Sequence, residues 1–217
     1  MTINKLFDLL DDWRHLPAYQ LERRADIFFA IHLEKILKGL YGFKPNVIIP
    51  EFPVRIGEIS EKHPDLNRSF KIDYLVYSKN PANVLLIELK TDQRSLRDKQ
   101  TWYLESAAKI KVSGLLVGLK KIYAATSYKV KYGSLLKLLE NIDWIQQVDS
   151  TFEITCPDIE PEVIYIQPVK PNGTSGVISF DDIITTLDGT DNPLTNRFVK
   201  SLKRWKGDVN KKPHSSE

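Results

Sequence analysis

The chain has 217 residues, a formal net charge of +3, and 42% hydrophobic and 27% charged residues, enough for one ordinary globular domain with a buried core and at most an appendage. This composition excludes a disordered, collagenous or repeat protein, and the mild basic excess permits a polyanionic partner without requiring one. The densest apolar run, residues 27–31, is bounded by Asp26 and His32, so no membrane span and no membrane partner are expected.

In chain order, residues 6–13 are predicted as a short helix closed by Pro17, and residues 19–41 as a longer one. In the longer helix Ala25, Phe29, Leu33, Ile36 and Leu40 recur at three- and four-residue spacing, and Gly42 supplies the stop. Residues 47–59 are rich in β-branched side chains, and Pro50 and Pro53 suit an edge strand. Residues 60–68 are polar and loop-like. Residues 70–77 and 84–90 are predicted strands joined by a turn over 78–83. A helix is expected from about Ser95 into the 110s, then a short strand at 122–126, a helix at 132–141, a strand at 162–167, a loop at 168–178 and an amphipathic helix at 198–205. The last ten residues are expected to be disordered. Strand hairpins combined with a crossover helix predict the α/β class, with a mixed central sheet flanked by helices.

Domain organisation is expected as an α/β domain over 1–167 and a C-terminal extension over 168–217. That extension holds Arg197, Lys200, Lys203, Arg204, Lys206, Lys211 and Lys212 against a single opposing Asp208, and is expected to be a solvated basic end. Asp8, Asp11 and Asp12 near the start argue against a cleavable leader, and a lone cysteine, Cys156, fits a reducing cytoplasm. His15, His32, His63 and His214 show no metal-ligand spacing, there is no glycine-rich phosphate loop, and neither Ser127 nor Cys156 has a nucleophile's setting.

The chemistry concentrates between Phe70 and Lys90. Alternate side chains of a strand share a face, so Glu88 and Lys90 point the same way, as do Asp73, Leu75 and Tyr77. If the turn pairs Tyr77 with Val84, antiparallel register pairs Leu75 with Leu86 and Asp73 with Glu88, whose Cβ atoms would lie about 4.5–5.5 Å apart. Two opposed carboxylates destabilise a sheet unless something neutralises them. With a main-chain carbonyl such as that of Leu89, they form an oxygen-only set suited to Mg²⁺, with Mn²⁺ as substitute. Lys90 on the same face could position and help deprotonate a water.

Ile72-Asp73 followed fifteen residues later by Ile87-Glu88-Leu89-Lys90 resembles the core motif of the PD-(D/E)XK nuclease superfamily, with Ile72 where the motif's name has proline. Asp73 matches the motif aspartate, Glu88 the (D/E) position and Lys90 the lysine, over a likeness that covers about residues 19–126. The resemblance implies a restriction-endonuclease-like core, a mixed four-stranded sheet flanked by helices, and Mg²⁺-dependent hydrolysis of nucleic-acid phosphodiesters, DNA being the favoured substrate; a homodimer is compatible. It also implies an acid on the helix before the sheet. Glu22 is the first candidate and Asp26 the second, since both extend the core-facing stripe, whereas Glu34 sits off it. Some branches carry a glutamine after the lysine strand, which Gln100 resembles, with Tyr103 three residues on. Lys90, Arg94, Arg97, Lys99, Lys109 and Lys111 outnumber the acids nearby, and Trp102 and Tyr103 are interleaved among them, a pattern that suits phosphates and unpaired bases. The alternative function is a catalytically inactive nuclease-like fold that binds nucleic acid or serves assembly.

Overall fold

The computed structural model describes residues 2–92, 98–171 and 173–207. Among them, five strands form one mixed sheet in the order β1 (Val47–Arg55), β2 (Ser69–Lys79), β3 (Ala82–Leu89), β6 (Glu162–Gln167), β7 (Val177–Ser179). The first three are antiparallel and the last two parallel. A separate hairpin pairs β4 (Ile145–Val148) with β5 (Thr151–Ile154). Helices flank the larger sheet, as the α/β class requires. No helix among the described residues is long and apolar enough to cross a membrane.

The chain folds into two compact units, one comprising Met1–Lys44, Leu89–Leu96 and Tyr165–Glu217, the other Pro45–Glu88 and Arg97–Ile164. The first holds α1 (Ile3–Trp13), α2 (Glu22–Tyr41), α7 (Phe180–Leu187) and α8 (Pro193–Gly207). Its core is aromatic: Phe7 lies 4.5 Å from Phe28, and Phe198 meets Phe29 edge-on at 5.1 Å. The stripe expected on α2 is buried at Ala25, Phe29, Leu33 and Ile36, but Leu40 is exposed. Phe28, His32 and Leu37 complete the buried face instead, because the helix drifts over its length relative to a strict repeat. His32 stacks on Phe198 at 5.4 Å. Burial, helped by the Lys35 charge, holds its pKa below the usual histidine value. Gly42 ends α2 in the left-handed region at φ 64°, where a side chain would be strained. Ser179 and Asp182 form a reciprocal capping box at the start of α7.

The basic C-terminal stretch is solvated at Lys200, Lys203 and Arg204, as its composition suggests, but not at Arg197. Arg197 is buried and donates to Asp8 Oδ1 at 2.7 Å, Asp11 Oδ2 at 2.9 Å and Ser201 Oγ at 2.6 Å. Arg204 and the Trp205 indole also donate to Asp11, each at 2.8 Å, and Lys206 pairs with Asp181. The amphipathic helix turns its apolar face and part of its charge inward, so Asp8 and Asp11 on α1 neutralise what the local sequence leaves unopposed. Lys211 and Lys212, with the expected disordered tail, lie outside the described residues.

In the second unit, β1 takes the sheet edge that its two prolines suggested. It ends at Arg55, and residues 56–59, expected as strand, form the helical turn α3 (Ile56–Ile59). The buried Arg55 guanidinium donates to Asn67 Oδ1, Glu58 Oε1 and the Pro64 carbonyl, which ties the polar 60–68 loop to the strand end. The helix expected from Ser95, a residue outside the described set, is two helices: α4 (Asp98–Lys109) and α5 (Lys111–Ala125), separated where Lys111 takes φ 59°. The short strand expected at 122–126 is wrong, because α5 runs through it. Val112, Leu115, Leu116, Leu119 and Ile122 are buried at helical spacing, and this outweighs the local β-propensity of Ile122. A 3-10 turn (Lys129–Tyr132) leads into α6 (Gly133–Asn141). The β4–β5 hairpin, like β7 and α7 in the first unit, has no counterpart in the pattern of the sequence; β7 begins inside the expected 168–178 loop.

Candidate functional site

Strands β2 and β3 pair in the predicted register, with Tyr77 opposite Val84, Leu75 opposite Leu86 and Tyr74 opposite Ile87. Extended by one step, the same ladder aligns Asp73 with Glu88. Val84 to Leu89 are all buried, so β3 is covered on both faces and its side chains are apolar at both parities. Glu88, 3% exposed, is the carboxylate in that run, whereas Asp73 is half-buried. Burying a carboxylate is costly without polar partners. One partner is Gln100, whose Nε2 donates to Glu88 Oε1 from the first turn of α4.

Gln100 is aimed by its own helix. Tyr103, one turn on, stacks on Phe70 of β2 with ring centroids 4.9 Å apart and planes 13° from parallel. That contact docks α4 beside the strand carrying Asp73, so Gln100 and Tyr103 share one helix face. Trp102 leans on Tyr103 at 5.3 Å and remains exposed. In the sequence Phe70 is identifiable only as a strand residue. Its pairing with Tyr103 is a tertiary contact with no local signal beyond two aromatics near the motif.

In the other unit, the Lys90 main-chain N–H donates to the Ile166 carbonyl at 2.7 Å, continuing the ladder beyond the end of β3. Lys90 is 4% exposed, and its Nζ lies 3.8 Å from Glu22 Oε2 in the first turn of α2. A buried ammonium, like a buried carboxylate, needs a counter-charge, and Glu22, itself partly open to water, supplies one. Of the three helix acids considered, Glu22 is therefore the one beside the lysine. Asp26 and Glu34 are exposed, and Asp26 Oδ1 accepts from the Ile27 N–H. Leu89 is buried between Glu88 and Lys90.

The structure thus groups the candidates as Asp73, Glu88 and Gln100 in one unit, and Glu22, Leu89 and Lys90 in the other. Arg94 and Arg97 lie outside the described residues. Lys111 is drawn onto Asp158 at 2.6 Å, which holds its pKa up and lowers that of Asp158. Cys156 is half-buried, and burial pushes its thiol pKa up, away from the thiolate a nucleophile needs. Among the described residues, no three His, Cys, Asp or Glu side chains converge as a metal site. A divalent ion at Asp73 and Glu88 would therefore draw its other ligands from main-chain carbonyl, water and substrate, a sparse shell that Mg²⁺ tolerates. No protein-family model, curated protein or solved structure matches the chain.

Proposed function

We propose that this chain is a Mg²⁺-dependent nuclease hydrolysing phosphodiester bonds of nucleic acid, DNA being the favoured substrate, with the restriction-endonuclease-like core that the PD-(D/E)XK resemblance implies. The observation that carries the reading is the strand register. The ladder runs to Tyr74 opposite Ile87; one further step in the same register would bring Asp73 opposite the buried Glu88, and Lys90 follows two residues along the chain with Glu22 as its counter-ion. The donor set fits the ion: two carboxylates in register, with the Leu89 carbonyl next to Glu88, are hard oxygen ligands. When bound, the ion would polarise the phosphoryl oxygen and lower the pKa of a water.

The chain's own residues do the rest. Gln100 holds one Glu88 oxygen from the first turn of α4 and so orients the carboxylate. Lys90, paired with Glu22, offers a donor to the attacking water and a charge to offset that developing on the phosphate. Burial of Lys90 strengthens both effects, since water screens them less.

The test is cleavage of linear, supercoiled and single-stranded DNA and of RNA, with Mg²⁺ or Mn²⁺. Divalent-dependent cleavage by the wild type, lost in Asp73→Ala and in Glu88→Gln at unchanged melting temperature, is the expected result. A second reading, a nuclease-like nucleic-acid-binding or assembly module, draws on a specific observation: Glu88 and Lys90 both already have partners within the chain. Binding without cleavage under every metal condition would select it.

A further inference from the structure

From residue 106 to residue 139 the chain carries seven lysines and no aspartate or glutamate. Two of those lysines are neutralised from elsewhere, Lys111 by Asp158 and Lys121 by Glu58 at 2.7 Å. Of the others, Lys129 and Lys131 stand in the link between α5 and α6, where they alternate with Tyr128, Val130 and Tyr132.

That link is built, not loose. Tyr123 at the end of α5 lies 6.1 Å from the buried ring of Phe152 and meets Tyr132 edge-on at 6.0 Å. Lys129 Nζ sits 5.0 Å above the Tyr123 ring and also donates to the Ser150 carbonyl. Lys131 Nζ lies 5.0 Å from the Tyr132 ring. The Tyr128 N–H is held by Thr126 Oγ1 at 3.2 Å. This scaffold of rings and ammonium groups fixes the 3-10 turn and leaves Tyr128 66% and Val130 84% exposed at its crest.

A large aromatic ring on a fixed turn between cations has a chemistry of its own. The cations call for phosphates, and the exposed ring offers a face to an unstacked base. Duplex DNA presents phosphates but hides the base faces. An anionic membrane would favour a longer amphipathic helix with a broad apolar face over one short turn. We propose that the Tyr128–Tyr132 turn binds single-stranded nucleic acid, Tyr128 stacking on a base while Lys129 and Lys131 contact the flanking phosphates. The proposal deepens the nuclease reading by naming the strand state of the substrate, and it rests on that reading only for the cleavage step after binding.

Fluorescence anisotropy with a labelled oligothymidylate of about 16 nucleotides tests it, in EDTA so that no cleavage intervenes. Wild type should bind in low salt, and bind the single strand more tightly than the same length of duplex. Tyr128→Ala should weaken binding about tenfold, and Tyr128→Phe should restore it. Lys131→Gln should lower the slope of log K against log salt by about 0.7. Because Tyr128 is exposed, its variants should melt as wild type does. Should Tyr128→Ala nevertheless unfold, the exposed Lys131 carries the test through its salt slope. Equal affinity of wild type, Tyr128→Ala and Lys131→Gln overturns the proposal, as does absence of binding by wild type. Preference for duplex, or for phosphatidylserine vesicles with no binding to the oligonucleotide, also overturns it. Asp73→Ala separates the two claims: cleavage that needs Asp73, with binding indifferent to Tyr128, leaves the nuclease reading standing and removes the turn. Tyr128-dependent binding with no cleavage does the opposite.

Discussion

At the scale of single residues, Lys90 is the most diagnostic. Its side chain is buried, while its partner Glu22 keeps about a third of its surface open to water. Lys90→Met retains the apolar stem and removes the charge, and Glu22 can then rehydrate. Stability should therefore change by about 1 kcal/mol or less, while metal-dependent cleavage falls ~10²–10³-fold. A purely structural ion cluster gives the opposite: a loss of about 3–5 kcal/mol, and no cleavage in the wild type to lose. Melting temperature and cleavage rate measured on the same variant decide between them. Gln100→Leu removes a donor from the buried Glu88 carboxylate, and denaturant titration should show it less stable by about 1–3 kcal/mol. Asp73, Glu88 and Lys90 could be singled out from the sequence because strand alternation and hairpin register are local rules. The Phe70–Tyr103 stack could not, since it depends on where a helix some thirty residues downstream comes to rest.

Among the elements, α1 and α8 show how far a local charge count can mislead. Arg197 and Arg204 look unopposed in their own stretch of chain because their counter-ions stand 186 or more residues away. Burial pushes the Asp11 carboxyl pKa up, but hydrogen bonds from Ser201, Arg197 and Trp205, with the Arg197 charge, more than reverse this and leave it below the ordinary carboxylate value. With the folded value below the unfolded one, the folded state holds fewer protons in acid. Asp11 then contributes fully above its unfolded value, about pH 4, and that contribution fades as pH falls through the folded value. Asp11→Asn should accordingly lower stability at neutral pH and flatten the acid limb of a melting-temperature profile against pH. Arg197→Met should lower stability by about 1–3 kcal/mol in a denaturant titration, since it removes one charged donor from the buried Asp11 carboxylate, which keeps Arg204 and Trp205. The same scale explains the misread strand at 122–126. Five residues of propensity carry less weight than four turns of apolar spacing, and α5 is held by that longer pattern. Where a rule is strictly local, as at the Gly42 cap, sequence and structure agree. Gly42→Ala should destabilise by about 1 kcal/mol in a denaturant titration.

For the molecule as a whole, each compact unit is assembled from separate stretches of chain. The α/β class, the edge position of β1 and the β2–β3 hairpin follow from pattern along the chain. The gathering of α1, α2, α7 and α8 around one aromatic core does not, because periodicity shows which face of a helix is apolar but not what covers it. Ending the chain after Asn192 would remove α8, and with it Phe198 and Trp205 from that core. Circular dichroism should then report loss of cooperative melting for the α1–α2 segment. The distance between Asp11 and Trp205 also has a meaning in time. The two are 194 residues apart, and a ribosome adding about 5–20 residues per second needs ~10–40 s to travel from one to the other. Throughout that interval the nascent helix at the start has only Phe28 and its neighbours to shelter Phe7, and nothing yet made to neutralise Asp11. Its docking onto α8 therefore waits until Trp205 has been made, and folding of this unit cannot finish in the order in which the chain emerges.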